Sequence, residues 1–111
     1  MQKILPGGIY RLSLAPSAEE ASVTITVVVL SGKAFNREGP TVWAAPLVSE
    51  RESFGSRARM KLATDALEGW ALLDAVRAID LAARGAVLLD QVPESWAAEA
   101  RLKLIHWLSA D

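Results

Sequence analysis

The sequence predicts an α+β domain, a small antiparallel sheet followed by one C-terminal helix. Three observations predict it. Short segments with alternating or β-branched apolar residues are separated by Pro, Gly and Ser breakers. The final stretch, from Pro93, switches to helical spacing. A length of 111 residues, 51% hydrophobic and 23% charged, suits one domain over residues 1–111 with a single core and no staples.

Pro6-Gly7-Gly8 is a turn that launches a first strand, Ile9 to Leu14, and residues 15–22 (APSAEEAS) form a polar loop. Val23 to Leu30 begins with alternation, Thr24 and Thr26 against Val23, Ile25 and Val27. It then becomes continuously apolar, as a strand buried on both faces does. Residues 31–40 (SGKAFNREGP) read as a loop. Thr41 to Leu47 is a third strand, and Pro46 near its end signals a sheet edge or a bulge. Residues 48–55 (VSERESFG) are the most charged loop. Arg57, Arg59 and Lys61 then alternate with Ala58, Met60 and Leu62, a half-buried strand with a basic outer stripe.

The organising stretch is Gly69 to Gly85. Alternation places Trp70, Leu72, Asp74 and Val76 on one face and Ala71, Leu73, Ala75 and Arg77 on the other. A carboxylate inside such a run is costly unless it is paired or functional, so Asp74 is either a fold-holding group bonded to backbone N–H or a general base. Asp80 is placed to N-cap a single helical turn that stops at Gly85, a residue that tolerates the left-handed conformation. Arg77 is then an ion-pair or dimer contact, and Arg84 a solvated side chain. Ala86 to Leu89 is a last short strand.

Pro93 opens a helix that runs to about Leu108. Trp96, Ala97, Ala100, Leu104, Trp107 and Leu108 cluster on it, and Ala98, Leu102 and Ile105 widen the apolar arc, with Arg101 inside that arc. An arc this broad exceeds what one sheet face covers. Either the helix is deeply buried in its own domain or Trp96, Leu104 and Trp107 meet a second subunit. The four tryptophans are core or interface side chains, and nothing in the sequence marks Trp43 or Trp70 for base stacking.

Composition narrows the function classes. The chain has no cysteine and one histidine, His106, on the polar side of the helix, so no metal centre or cofactor is expected. A net charge of −1 and a pI near 5.8 leave no overall basic footprint for nucleic acid. No apolar run, Val27 to Leu30 included, approaches a membrane span, and the N-terminus lacks a signal-peptide pattern, so a cytoplasmic location is expected.

The order of these pieces resembles the MazF/PemK family of toxins from type II toxin–antitoxin modules, which share a fold with CcdB. The resemblance rests on Gly8-Ile9-Tyr10 with Leu14-Ala15-Pro16-Ser17, on Val28-Val29-Leu30-Ser31 leading to Ala34-Phe35-Asn36-Arg37, on Ala45-Pro46-Leu47-Val48-Ser49, and on Gly69 to Gly85 with Val92-Pro93-Glu94. It implies a strongly curved, SH3-barrel-like antiparallel sheet (the CcdB/PemK fold) with a C-terminal helix. It also implies a two-fold homodimer and a cognate antitoxin that lies across the sheet as an extended acidic peptide. Arg51, Arg57, Arg59 and Lys61 are the docking charges for that partner.

The resemblance further implies metal-independent cleavage of single-stranded RNA, in which the substrate's 2′-hydroxyl attacks and the enzyme supplies a base, an acid and a cation. Carried over residue by residue, that machinery is incomplete. The family's G-x-R-P arginine and proline fall on Ile25 and Thr26, its Thr-Ser pair on Val48 and Ser49, its R-x-D on Leu72-Leu73-Asp74, and its D-Q on Asp74-Ala75. Asp74, Ser49 and Arg77 remain as catalytic candidates. The expected function is a toxin-like component with an eroded ribonuclease site. Two alternatives stand beside it: an active endoribonuclease with relocated residues, and a non-enzymatic toxin that binds a protein target such as DNA gyrase, as CcdB relatives do.

Overall fold

The computed structural model describes residues 3–13 and 23–111. Leu14 and the expected polar loop at 15–22 lie outside the described residues. The elements run β1 (Gly8–Ser13), β2 (Thr24–Val29), α1 (Lys33–Glu38), β3 (Val42–Val48), α2 (Glu50–Ser53), β4 (Arg59–Ala63), β5 (Glu68–Leu72), a 3-10 turn (Leu73–Ala75), β6 (Arg77–Ile79), β7 (Val87–Gln91) and α3 (Glu94–Ser109). The sheet order is β4-β5-β3-β2-β1-β7, with β6 pairing to β3 beside β5, and every pairing is antiparallel. This is the curled sheet with one terminal helix that the resemblance implied.

Both faces of the sheet carry a core. Ile9, Val28, Leu30, Ala45, Met60, Leu62, Ala71 and Leu73 pack with Ala100 of α3 on one face. Tyr10, Leu12, Val27, Val29, Val42, Ala44 and Ile79 pack with Leu81 on the other. Val27, Val28 and Val29 are therefore fully buried, which is why that run lacks alternation. Gly7, at φ +91, makes the turn into β1; a Cβ there would lie 2.5 Å from the Val92 carbonyl oxygen, so only glycine fits. At the ends of the sheet, Trp96 of α3 donates its indole N–H to the Lys61 carbonyl of β4 (2.8 Å), closing the open edge. Nearby, Thr64 and the Gln91 N–H hydrogen-bond Asp90 and hold its carboxyl below the ordinary carboxylate range.

Four expectations are corrected. The loop expected at 31–40 contains α1, a single six-residue helix anchored by buried Asn36, whose amide donates to the carbonyls of Ile4 (2.9 Å) and Ser31 (3.0 Å). The charged loop at 48–55 contains α2, which a capping box starts. Neither helix is long enough to show a 3.6-residue period. Pro46 is inside a central strand rather than at an edge. The Leu30 N–H bonds the Trp43 carbonyl (2.9 Å), so by alternation Pro46 turns its missing N–H toward the β5/β6 side. That is where the partner strand departs: Leu47 pairs with Ala71 and Ala44 with Arg77, leaving the 3-10 turn opposite Pro46.

The fourth correction follows from that departure. Continuous alternation through Gly69–Arg77 fails at the 3-10 turn. Trp70 and Leu72 share one face, but Val76 crosses to the core beside Leu73 and Ala71. Arg77, directly opposite Ala44, comes onto the face that Val48 and Trp70 share. Downstream the expectations hold: Asp80 accepts from the Ala83 N–H (3.0 Å), and Gly85 stops the turn at φ +63.

Candidate functional site

The curled sheet and α2 place the candidate catalytic groups in three different clefts. Ser49 lines a shallow cleft of about 250 Å³ with Lys61, Glu68 and Trp70. Its hydroxyl donates to Glu52 Oε1 (2.9 Å) and accepts the Glu52 N–H (3.2 Å), while Glu52 takes the Ser49 N–H (3.2 Å). This S-x-x-E box satisfies orphan donors at the start of α2, and its spacing is legible in residues 49–52. Ser49 is thus engaged as a helix cap.

Asp74 is exposed in the 3-10 turn and lines an apolar groove of about 670 Å³ beside α3. Ser56 donates its hydroxyl to Asp74 Oδ1 (2.6 Å) and accepts the Ala58 N–H (3.1 Å), so the carboxylate ties the loop before β4 to the turn after β5. Arg101 shares that groove, and its guanidinium donates to the Leu30 carbonyl (2.6 Å). This charge-assisted bond explains a cation inside an apolar helix face. Arg77 is exposed in a third cleft, with Leu12, Ile25 and Asp80.

The basic stripe lies along β4. Ala58, Met60 and Leu62 are buried while Arg57 and Lys61 are exposed, although β4 itself starts at Arg59. Arg59 packs its guanidinium 4.1 Å from the Trp70 ring centroid and 5.2 Å from that of Phe54, and donates to Ser53 Oγ (2.8 Å). Arg51 is exposed on α2. Phe54, 66% exposed, escaped the sequence analysis, because a lone aromatic in a charged loop has no period to mark it.

On α3, Trp96 packs into its own core, Leu104 is half-buried in the groove and Trp107 is exposed. Leu102, Ile105 and Leu108 are exposed as well, and His106 meets Trp107 edge-on. Among the described residues no three His, Asp or Glu side chains converge as a metal site requires, and no helix is long and apolar enough to cross a membrane.

Residues 5–108 match the profile of the PemK-like, MazF-like toxins of type II toxin–antitoxin systems. The chain belongs to that family. A MazE–MazF structure from Deinococcus radiodurans is 25% identical, with a TM-score of 0.77 over 98% of this chain and 99% of that one. MazF from the same organism is 27% identical, with a TM-score of 0.75 over 97% of this chain and 98% of the other. A mycobacterial endoribonuclease in complex with its cognate antitoxin shares the fold at 18% identity, with a TM-score of 0.69 and coverage of 96% and 93%. No protein of curated function is significantly similar in sequence. Within this protomer Ser49, Asp74 and Arg77 line three different clefts.

Proposed function

We propose that this chain is the toxin component of a toxin–antitoxin pair, a single-domain cytoplasmic homodimer that engages single-stranded RNA without efficient cleavage. One observation carries the lack of efficient cleavage, and the family match supports the toxin role. The base candidate Asp74 is bonded to Ser56, the hydroxyl candidate Ser49 is held by Glu52, and Arg77 lines a cleft apart from both. Cleavage through the 2′-hydroxyl needs base, acid and cation around one phosphate, and a single missing preorganised donor costs about 10²–10³ in rate.

Two surfaces serve the partners. The exposed apolar residues of α3 with the adjacent groove, Leu104 and Trp107 included, supply the two-fold interface. Arg51, Arg57, Arg59 and Lys61 supply the cationic face for an acidic antitoxin segment, which the family's toxin–antitoxin pairing supports. Reversing Arg51 and Arg57 should weaken antitoxin binding in a salt-dependent way.

The deciding experiment is incubation of the purified protein with single-stranded RNA, with and without EDTA, followed by 5′-end mapping. Negligible cleavage is expected under both conditions. Leu72→Arg does not restore activity on this reading, because Leu72 stands directly opposite Arg59 and the strand leaves its register before Asp74. EDTA-resistant cleavage that Asp74→Asn or Arg77→Ala abolishes would overturn the proposal and make the chain an active endoribonuclease with relocated residues.

A further inference from the structure

Another cleft, of about 480 Å³, opens between the N-terminal segment, the end of α1 and the turn after β6, and shares only Asp80 with the cleft of Arg77. That volume falls within the range of small-molecule sites. Its walls are tied together by buried Asn36. The Asn36 amide donates to the carbonyls of Ile4 (2.9 Å) and Ser31 (3.0 Å), and its oxygen accepts from the Ser31 hydroxyl, which itself accepts the Trp43 N–H (3.0 Å). The chain neighbours of the tied residues, Lys3 beside Ile4 and Arg37 beside Asn36, are thereby brought to one cleft. Both are exposed, and among the described residues neither has an ion-pair or hydrogen-bonding partner. Asp80 lines the same space. Its Oδ1 takes the Ala83 N–H (3.0 Å), and its other oxygen is bonded to none of the described residues.

Two cations and a carboxylate thus border one cavity without pairing with each other. A bare anion seated on the cations would meet Asp80 as a like charge. A ligand that is anionic at one end and offers an O–H at the other satisfies all three groups. A phosphate monoester carries about −1.5 to −2 at pH 7, which matches two cations better than the single charge of a carboxylate does. The Arg37 guanidinium has a planar fork suited to two phosphate oxygens, and Lys3 adds a point charge. Ile4 and Pro40 supply apolar wall for a carbon skeleton.

We propose that this cleft binds a sugar phosphate. The phosphate sits on Arg37 and Lys3, and a sugar hydroxyl donates to Asp80. The site is separate from the basic stripe of β4 and from the α3 groove, and it does not depend on the toxin reading given above.

The test is isothermal titration calorimetry on the full-length protein with glucose 6-phosphate, inorganic phosphate and glucose as probes. Glucose 6-phosphate should bind about tenfold more tightly than inorganic phosphate, the worth of one hydrogen bond to a charged group, and glucose should not bind measurably. Arg37→Ala and Lys3→Ala, both at exposed positions, should each weaken glucose 6-phosphate about tenfold. Asp80→Asn keeps an N-capping side chain but removes the like charge. It should tighten inorganic phosphate and reduce the preference for glucose 6-phosphate. Circular dichroism checks the fold of each variant. No binding of glucose 6-phosphate by the wild type would overturn the proposal, as would binding that neither Arg37→Ala nor Lys3→Ala weakens. Equal affinity for glucose 6-phosphate and inorganic phosphate in the wild type would reduce the cleft to a patch of surface charge. None of these probes is an RNA or an acidic peptide, so each of these failures leaves the toxin reading standing.

Discussion

Trp107→Ala tests whether the apolar end of α3 is an interface. Trp107 is 53% exposed in the protomer. A tryptophan buries about 150–250 Å² when covered, so roughly 100 Å² of this one waits for a partner. At about 25 cal/mol per Å², covering that area contributes about 2.5 kcal/mol per subunit. A two-fold interface contains each residue twice, so truncation to alanine removes about 4 kcal/mol from the dimer. Each 1.4 kcal/mol is a decade in affinity, and allowing for imperfect packing the dimer dissociation constant should rise about 10²-fold or more. The protomer fold should survive, because about half of the side chain is already in water and α3 stays anchored through Trp96, Ala97 and Ala100. Sedimentation velocity over a dilution series reads the constant, and circular dichroism checks the fold. A wild-type chain that stays monomeric at micromolar concentration would refute the reasoning. So would a shift below about threefold, since that corresponds to less than about 1 kcal/mol.

Three further outcomes concern the protomer. Gly7→Ala should cost about 2–4 kcal/mol, because a positive φ adds to a collision with the Val92 carbonyl, whereas Gly85→Ala, with open space around its Cβ, should cost only about 1–2 kcal/mol. Equal losses in urea denaturation would show that the close approach to Val92 is not what fixes that turn. Ser49→Ala should remove the capping box and about 1 kcal/mol of stability, seen as faster hydrogen exchange at the Glu52 amide and a melting temperature lower by about 4 °C. Burial pushes the Tyr10 phenol up from its ordinary value, so the native state holds its proton after the unfolded state has lost it. Stability should therefore persist below the ordinary tyrosine pKa of about 10 and fall as pH rises through the raised value, and Tyr10→Phe should flatten that alkaline fall.

Local chemistry was enough for much of the chain. The β-branched run at Val27 to Leu30, the turn at Pro6-Gly7-Gly8, the cap at Asp80, the stop at Gly85 and the helix behind Pro93 each declare themselves through near neighbours, and the structure agrees with each. The capping box at Ser49 to Glu52 was equally local, although α2 is too short to show a period. Trp96 and Trp107 read alike in the sequence, both apolar residues on one broad arc. Only packing separates them, one closing the sheet edge on Lys61 and the other left in solvent. Asp74 and Arg77 separate for a similar reason. Alternation assigns faces only while a strand keeps its register, and what ends that register here is a proline in a different strand, across the sheet at Pro46. Apolar pattern and turn chemistry are written in successive residues, so the sequence determined the elements. Which face a side chain finally occupies depends on hydrogen bonds offered or withheld by a distant strand, and that only the tertiary structure decided.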